Sequence, residues 1–580
     1  MDGVISAVMD NVWAIWLLIG AAMVFFMQGG FAAVESGFTR AKNAGNITMK
    51  NLIDFCIGTV VFVLLGNGLL MGAPKLGGLI GMPNLSIFTD YQNYDFSAFV
   101  FNLVFAATAA TIVSGAMAER TKFISYCIYS GIISLVIYPI EAGWVWGGEG
   151  HFLADRGYLD FAGSSAIHMV GGITGFIGAA LVGPRIGKYV QDKKTGKKVA
   201  KAIPGHSLTL GALGCFILWF AWYGFNGAAA TDVRQFGSIL LTTTIAPAIA
   251  TVTAMIVTWV KYGKPDVSMS LNGSLAGLVA ITAGCAYVDA AGSAVIGIVA
   301  GVLVVVAVEF VDKVLHVDDP VGAVAVHGFN GMFGALAVGL FANPNVPGAD
   351  GNPSGVAGLF YGGGFKQLGI QVMGVAMIAG WTAVTMTIVF LLIKKIIGLR
   401  VTKQEEIDGL DIHEHNLPSA YADWLPAVDQ SLIGVDLSDT LPAGAKVAEK
   451  ISVPVVNTAP EGVKITNVTV LTNQSKFEDL KMAVEEIGIT GVTVTNVLGY
   501  GMQKGNPAVY RGAKLESSLR PKIKMEIVVS KVPVPLLVNT VRQALYTGQI
   551  GDGKIFLYGV ENVVKVRTGE EGYDALQDNP

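Results

Sequence analysis

Two stretches, DFAGSSAIHMVGGITG at residues 160–175 and DPVGAVAVHGFNGMFG at residues 319–334, share one spacing of residues. In both, an Asp is followed by Gly at the third position after it, by His at the eighth, and by Gly at the twelfth and fifteenth. The remaining residues are almost all apolar. If the Asp caps a helix that enters the segment, the His lies about 12 Å along the helix axis. Each His is therefore predicted near the middle of a hydrocarbon layer about 30 Å thick.

The composition indicates a protein that crosses a membrane several times. Of the 580 residues, 52% are hydrophobic and 14% are charged, which is too apolar for a single soluble globule. Glycine contributes 73 residues, and small residues let membrane helices pack closely. The net charge of -4 comes without a large basic face, so no nucleic-acid partner is predicted.

Eleven apolar runs within residues 1–400 are long enough, or nearly so, to span a bilayer. The predicted fold is a polytopic α-helical membrane domain, residues 1–400, with two inverted halves of five helices and one additional helix. The eighth run is short and rich in glycine. The predicted spans lie near residues 11–32, 49–72, 96–118, 122–145, 162–184, 205–228, 236–260, 268–287, 290–310, 321–342 and 370–393.

The positions of Lys and Arg predict the orientation. Basic residues collect in loops after odd-numbered spans, such as Arg40, Lys42 and Lys50 after the first, and Arg120 and Lys122 after the third. Loops rich in Lys and Arg stay in the cytoplasm, so the N-terminus is predicted outside and the C-terminal part inside. The two repeats then begin spans five and ten, which run in opposite directions. We expect a multi-pass protein of the inner (cytoplasmic) membrane, whose first apolar run is a retained span because no basic segment precedes it.

After the eleventh span the sequence changes character. A charged tail at residues 401–424 precedes a linker at residues 425–462 that has no clear period. Between residues 463 and 580, strand-like and helix-like segments follow the order βαββαβ, which predicts a ferredoxin-like domain. All four cysteines lie in apolar segments of the membrane part, so no disulfide framework is predicted and the domain suits the cytoplasm.

His168 and His327 are the two repeated histidines. A single His in a membrane helix is often only a hydrogen-bonding contact between helices. Two at equivalent positions of a repeat favour a shared site. Burial disfavours the imidazolium form, so both rings are expected to be mainly neutral and to share one proton between facing nitrogens. Such a pair is a proton relay that binds a small polar molecule.

Aromatic residues supply the rest of the predicted pathway. Phe101 and Phe105 share a helical face, Trp146 lies in the outer loop region, and Phe225 lies in WYGFNG. Aromatic faces attract a cation and exclude water. We therefore expect ammonium to be captured outside, to lose its proton, and to cross an apolar constriction as ammonia. Without the His pair, ordinary packing would be the favoured interpretation.

These residues lie in longer motifs that resemble a known family. Six stretches of this chain resemble the signature stretches of the ammonium transporter (Amt/Mep/Rh) family and occur in the family's order. They are MQGGFAAVESGFTRAKNA, GAMAERTKF, DFAGSSAIHMVGG, WYGFNG, VDDPVGAVAVHG and GLRVTKQEEIDGLD. The resemblance covers nearly all of residues 9–424 and implies a homotrimer in lipid with one pore per subunit. By match of motif, the implied residues are His168 and His327 as the twin-histidine pair, Phe105 and Phe225 as the gating phenylalanines, Trp146 in the recruitment site, and Asp160, which orders the outer vestibule. Ala229 stands where many bacterial members have Ser, so one hydroxyl contact to the recruited cation is missing.

A glycine-rich loop distinguishes the C-terminal domain. GQIGDGK offers several backbone N–H groups and a Lys, and Lys565 and Arg567 follow in VKVRTGE, a combination that can cradle a polyphosphate. A glycine-rich loop alone would more often be a turn, so the basic residues carry the prediction.

This domain resembles the PII signal-transduction proteins (the GlnB/GlnK group) over residues 463–575. The matching stretches are LGYGMQKGNPAVYRGAK, RPKIKMEIVV and YTGQIGDGKIFLYGVENVVKVRTGEEG. The resemblance implies a trimer here as well, with ATP or ADP, magnesium and 2-oxoglutarate as effectors. The implied nucleotide contacts are Thr493, Gly551, Asp552, Gly553, Lys554, Lys565 and Arg567, and the residues implied for magnesium and 2-oxoglutarate are Gln503 and Lys522.

Residues 501–520 match the T-loop of that family, in which Arg511 resembles the arginine that enters the cytoplasmic mouth of an ammonium pore. Leu515 occupies the position of the modifiable tyrosine, so uridylylation by that route is not expected, and Tyr510 is a different position. The remaining departures are Met502 and Lys565 in place of Arg, Gln549 in place of Lys, and Lys514 in place of an acidic residue.

The sequence thus predicts an ammonium transporter fused to its own PII-type regulator. The linker holds the regulator near the pore mouth at up to about millimolar effective concentration. Two alternatives remain open: an ammonium receptor with little flux that signals through the PII domain, and a channel for neutral ammonia. No enzyme activity is predicted, because neither His has a neighbouring Ser or Cys nucleophile and the membrane domain has no predicted metal site.

Overall fold

The computed structural model describes residues 2–191, 196–417, 420–421, 464–473, 476–489, 491–500, 508–510, 513–515, 519–547 and 552–576. The chain forms two compact units, Met1–His415 and Asn416–Pro580. The predicted linker lies outside the described residues, and the domain boundaries near residues 400 and 424 stay predictions.

Apolar helices build the first unit. Within its described part, ten helices are long and apolar enough to cross a membrane, and an eleventh, Val267–Thr282 with 16 residues, is shorter. Together they account for the eleven predicted segments, so the predicted polytopic fold is confirmed. The helices are α1 (Asp2–Phe38), α2 (Ala41–Met71), α3 (Phe96–Ala116), α4 (Phe123–Trp146), α5 (Ser164–Val182), α6 (Leu208–Gly227), α7 (Val233–Tyr262), α8 (Val267–Thr282), α9 (Ala290–Val314), α10 (Val324–Phe341) and α11 (Lys366–Ile396).

The repeated motif produces the same local structure twice. Both α5 and α10 begin with a π-helical turn, Ser164–Met169 and Val324–Phe329. In each case an Asp precedes the turn and accepts hydrogen bonds from a glycine N–H just before the turn and from the first backbone N–H of the turn itself. The predicted cap is therefore present in both copies.

Glycines let α5 and α10 cross closely. A Cβ atom at Gly172 would lie 2.1 Å from the backbone nitrogen of Gly328, and one at Gly331 would lie 2.4 Å from the carbonyl oxygen of Ser164. Gly172, four residues after His168, lies against Gly328, whereas Ser164, four residues before His168, lies against Gly331. A later position in one segment therefore contacts an earlier position in the other, as expected for inverted repeats.

Two basic residues that were counted as loop residues are buried. Lys50 lies within α2 and is 1% exposed, with its Nζ 5.3 Å from the centre of the Tyr126 ring. Arg120 is also buried, and it donates hydrogen bonds to the carbonyl oxygens of Ala116 and Asp318. These side chains are held by internal partners, so the assignment of Lys50 to a loop was wrong.

The start of the charged tail packs on the first unit. It forms two short helices, α12 (Lys403–Asp408) and α13 (Leu410–His415). Asp411 accepts hydrogen bonds from the backbone nitrogens of Gly45 and Asn46, at 3.0 and 2.7 Å. The tail thus satisfies backbone donors where the α-helical part of α2 begins, just after its 3-10 turn Ala41–Asn43.

The second unit is an α+β domain built around one antiparallel sheet, in which β6 (Lys554–Gly559), β1 (Thr466–Asn473), β5 (Leu519–Val529) and β2 (Thr493–Tyr500) lie side by side in that order. This order and the two helices between the strands match the predicted βαββαβ arrangement. A separate two-stranded ladder, β3 with β4, lies within the predicted T-loop. The elements are β1 (Thr466–Asn473), α14 (Phe477–Glu486), β2 (Thr493–Tyr500), β3 (Ala508–Tyr510), β4 (Ala513–Leu515), β5 (Leu519–Val529), α15 (Val534–Leu545), β6 (Lys554–Gly559) and α16 (Gly572–Ala575).

Candidate transport and effector sites

The two repeated histidines meet. The Nδ1 atoms of His168 and His327 lie 3.2 Å apart, and the ring centres are 5.2 Å apart. Both side chains are buried. A hydrogen bond between these atoms requires that one ring carries hydrogen on Nδ1 and the other does not. The pair therefore has two interchangeable arrangements, which is what a relay for a proton needs.

Aromatic rings cover one side of the pair. The ring of Phe105 lies 4.4 Å from that of Phe225 and 4.5 Å from that of Phe101, measured between centres. Phe225 and Trp222 stack on His168, with centres 5.5 and 5.1 Å away. Both Phe105 and Phe225 are buried. The Phe105, Phe225 and Trp222 rings thus form a continuous aromatic cluster next to His168.

Asp160 orders the segment that carries His168. Its carboxylate accepts hydrogen bonds from the backbone nitrogens of Gly163, Ser164, Ser165 and Ala166 and from the Ser165 hydroxyl. The indole N–H of Trp146 donates to the Asp160 carbonyl oxygen at 2.8 Å, and the Trp146 ring lies 6.3 Å from Phe105. Trp146, Asp160 and the phenylalanines are therefore one connected structure. Ala229, which replaces the expected Ser, is exposed.

On the other side of His327 lies a narrow cavity. Its wall includes His327, Phe31, Glu35, Asn272 and Val321. The ring of Phe31 lies 6.0 Å from that of His327. The His pair thus separates the aromatic cover from a cavity that contains a carboxyl group.

The carboxyl group of Glu35 and the buried polar residues near it were not predicted from the sequence. Glu35 and Lys50 are buried, as is Asp54, which accepts hydrogen bonds from the hydroxyls of Thr111 and Ser130. A signal was present, because Lys50 and Asp54 fall within the predicted span 49–72, where charged residues are rare and usually functional.

In the second unit, Asp552 and Gly553 are the described residues of the glycine-rich loop, and they lie against the end of β1. The Asp552 carboxylate accepts hydrogen bonds from the backbone nitrogen and the hydroxyl of Thr547, and its carbonyl oxygen accepts one from the Thr472 hydroxyl. Gly553 has φ 125°, and a Cβ there would lie 2.3 Å from the Leu471 carbonyl oxygen. Lys554 follows at the start of β6 and is exposed. Asp552 and Gly553 thus place the start of β6, and with it Lys554, next to β1.

The predicted nucleotide contacts do not all come together in one chain. Thr493 begins β2, whereas Lys554 begins β6, and these strands form opposite edges of the sheet. Three strand spacings separate the edges, about 14 Å. Lys522 lies on β5, and its Nζ donates to the Asn473 side chain at 3.1 Å.

Lys565 and Arg567, the other basic residues predicted to contact the nucleotide, lie in a tight turn. The Nζ of Lys565 lies 3.1 Å from a carboxylate oxygen of Glu570. Hydrogen bonds from Lys565 and then Thr568 lower the pKa of Glu570. Arg567 is exposed. Gly551, Gln503 and Arg511 lie outside the described residues.

Residues 15–421 match the family described as the Ammonium Transporter Family. The chain belongs to the ammonium transporter family. Membership makes this a multi-pass membrane protein with ammonium or ammonia as its substrate. Residues 465–570 match the family described as Nitrogen regulatory protein P-II, so the ammonium transporter part is fused to a P-II domain.

Known ammonium transporters resemble the first unit closely. The ammonium transporter Amt2 of Archaeoglobus fulgidus is 43% identical over 417 residues, which cover 69% of this chain and 86% of that protein. The ammonium transporter Amt1 of Haloferax mediterranei is 37% identical over 446 residues, covering 72% and 81%. Relatives named as transporters are consistent with a chain that is not an enzyme.

Solved structures give the same family. A protein described as Sensor Amt Protein is 37% identical, has a TM-score of 0.65, and covers 70% of this chain and 99% of its own. Mep2 of Candida albicans is 28% identical with a TM-score of 0.60, covering 68% and 87%. Within the part of this ammonium transporter that the structure describes, no group of three His, Cys, Asp or Glu side chains could hold a metal ion.

Proposed function

We propose that the protein takes up ammonium by deprotonating it and conducting ammonia and a proton past His168 and His327. The observation that carries the proposal is the 3.2 Å approach of the two histidine Nδ1 atoms next to the paired rings of Phe105 and Phe225. Trp146 and the phenylalanines receive the cation on the outer side. Closing rings exclude water, and the loss of hydration disfavours the charged species more than ammonia.

The proton follows a separate path from the ammonia. Because the two rings can exchange which nitrogen carries hydrogen, a proton that enters at His168 can leave at His327. The charge therefore crosses without ammonium itself entering the apolar constriction. The C-terminal part lies in the cytoplasm in this account, as the distribution of basic residues predicts.

The P-II domain regulates this flux. Lys554, Lys565 and Arg567 offer positive charge to a nucleotide phosphate, and Lys522 together with Gln503 holds magnesium and 2-oxoglutarate. Since Thr493 and Lys554 lie on opposite edges of one sheet, a site that uses both needs edges from two subunits, which supports a trimer. The effectors decide whether Arg511 of the T-loop blocks the pore.

An ammonium sensor is the second candidate function, because one of the similar solved structures is described as Sensor Amt Protein. Currents on a solid-supported membrane separate the two functions. A transporter gives a sustained current that depends on ammonium and is absent with potassium, whereas a sensor binds ammonium without sustained current. A neutral ammonia channel would change the internal pH of vesicles without any current.

The same preparation tests the regulation. Current is measured on the full chain with ADP, ATP, or ATP with 2-oxoglutarate, and again for Arg511→Ala. The proposal expects wild-type current to respond to effectors and the variant to lose that response. Lack of any response in the wild type would contradict self-regulation while leaving transport intact.

A further inference from the structure

Glu35 presents a buried carboxyl group to the cavity beyond His327. Both side chains line this cavity. Glu35 is 3% exposed, and its Oε2 is buried without a hydrogen-bond partner in the described part of the chain. An unpaired buried oxygen is costly unless it carries a proton or meets a polar species in the cavity.

Few other groups on the cavity wall could accept a proton. Among the described residues that line it, Glu35 and His327 are the titratable ones. Asn272, the other polar side chain, already donates its amide N–H to the Val321 carbonyl oxygen at 3.2 Å. A proton that leaves His327 into this cavity therefore meets the Glu35 carboxylate as the basic group.

The Glu35 side chain lies beside a glycine of α3. A Cβ atom at Gly115 would lie 3.6 Å from the Cγ and 3.7 Å from the Cδ of Glu35, so the side chain lies against a position that has no side chain of its own. Lys50, buried on α2, is close enough to act electrostatically on Glu35. A positive charge nearby makes it feasible for the carboxyl group to alternate between its charged and neutral forms.

We propose that Glu35 is the proton acceptor that follows the His pair, a role that rests on the proposed function above. An N–H bond of His327 breaks and an O–H bond forms at Glu35 Oε2. That O–H bond then breaks, the proton passes to water on the cytoplasmic side, and the carboxylate is restored. One proton moves for each ammonia, and no oxidant or reductant takes part.

Glu35→Gln tests this role, because the amide keeps the shape of the side chain but cannot take the proton. In proteoliposomes of the full chain, the current and the internal alkalinisation caused by ammonia are measured together. We expect the current to fall by about tenfold or more while ammonia, now entering without its proton, alkalinises the interior, so that the charge moved per nitrogen drops. Glu35→Asp, which keeps a carboxyl group, is expected to restore part of the current.

A structural role for Glu35 makes a different prediction. If Glu35 only neutralises Lys50, then Glu35→Gln/Lys50→Met removes the unpaired charge and restores the current along with stability. Our proposal expects this double variant to fold and to remain defective in current. Glu141→Gln is the matched control, since Glu141 is another buried glutamate without described partners and does not line the cavity; we expect it to keep the charge per nitrogen.

The outcomes distinguish this inference from the proposed function. Normal charge per nitrogen in Glu35→Gln, or rescue of current by the double variant, overturns the role of Glu35 and leaves transport standing. Absence of ammonium current in the wild type overturns the proposed function itself.

Discussion

His168 and His327 face each other through the same ring atom, Nδ1, at 3.2 Å. This symmetry follows from the repeated motif, in which each His lies eight residues after a capping Asp and four before a glycine. The rings meet because glycine lies where the two segments cross, and the two backbones come closer there than a side chain would allow.

Gly172→Ala is expected to separate the His pair. The new Cβ would lie 2.1 Å from the Gly328 nitrogen, so the two helices must move apart. We expect ammonium current at least about tenfold lower, since a small displacement of reacting groups has a large effect on rate. Gly380→Ala is the control, because a Cβ there meets nothing within 4 Å; equal loss in both variants would contradict this account.

Asp160→Asn is expected to destabilise the protein more than Asp319→Asn. Asp160 accepts from four backbone N–H groups and a hydroxyl, whereas Asp319 accepts from three backbone N–H groups. An Asn side chain turns an N–H group toward some of these donors, and each lost bond to a charged acceptor is worth about 1.5 to 3 kcal/mol. Thermal unfolding in detergent measures the difference, and a larger drop for Asp319→Asn would refute the ranking.

The sequence was sufficient for much of this fold. Equal spacing around His168 and His327 indicated two equivalent segments, and apolar runs located the spans because a bilayer demands a minimum length. The caps followed from the position of Asp160 and Asp319. Strand order in the second unit followed from the βαββαβ pattern, for which few topologies are available.

Other features lay beyond the sequence. The spacing of residues does not distinguish a π-helical turn from an α-helical one, so the ring atoms that meet could not be predicted. The positive-inside rule counts charges without their partners, which is why Lys50 was misplaced. Glu35 lies in a motif that was read only as a family signature, and its contact with the His327 cavity depends on tertiary packing.

The docking of the tail is expected to weaken in mild acid. Burial, and then the charge of Lys50, lower the pKa of His415. The Asn46 amide nitrogen also lies 2.9 Å from the His415 Nε2, a contact that suits the neutral ring. A lowered pKa means that this stabilisation is present above the ordinary pKa of about 6.5 and is lost as pH falls below it.

Hydrogen exchange of residues 403–415 measures this effect. After correction for the intrinsic exchange rate, we expect protection to fall as the pH drops below about 6.5, a range in which Asp411 also titrates because burial raises its pKa to about 6. His415→Gln should reduce the pH dependence. If the variant keeps it, another group controls the tail.

Lys554→Ala is expected to weaken nucleotide binding without unfolding the P-II domain. Lys554 is exposed at the start of β6, so its removal leaves no cavity, while a lost charge-assisted contact to phosphate costs about tenfold in affinity. Calorimetry with ATP and ADP on the detergent-solubilised full chain measures the change. The exposed Lys531 provides the control as Lys531→Ala, and equal weakening in both variants would argue against a site at the glycine-rich loop.

The role of the His pair is tested by the ammonium current of a variant in which leucine replaces both histidines, His168→Leu/His327→Leu, measured beside the wild type at equal reconstituted amounts. We expect current specific for ammonium over potassium to disappear, because no group remains next to the phenylalanine rings to carry the proton. An unchanged ammonium-specific current in a folded double variant would contradict this role.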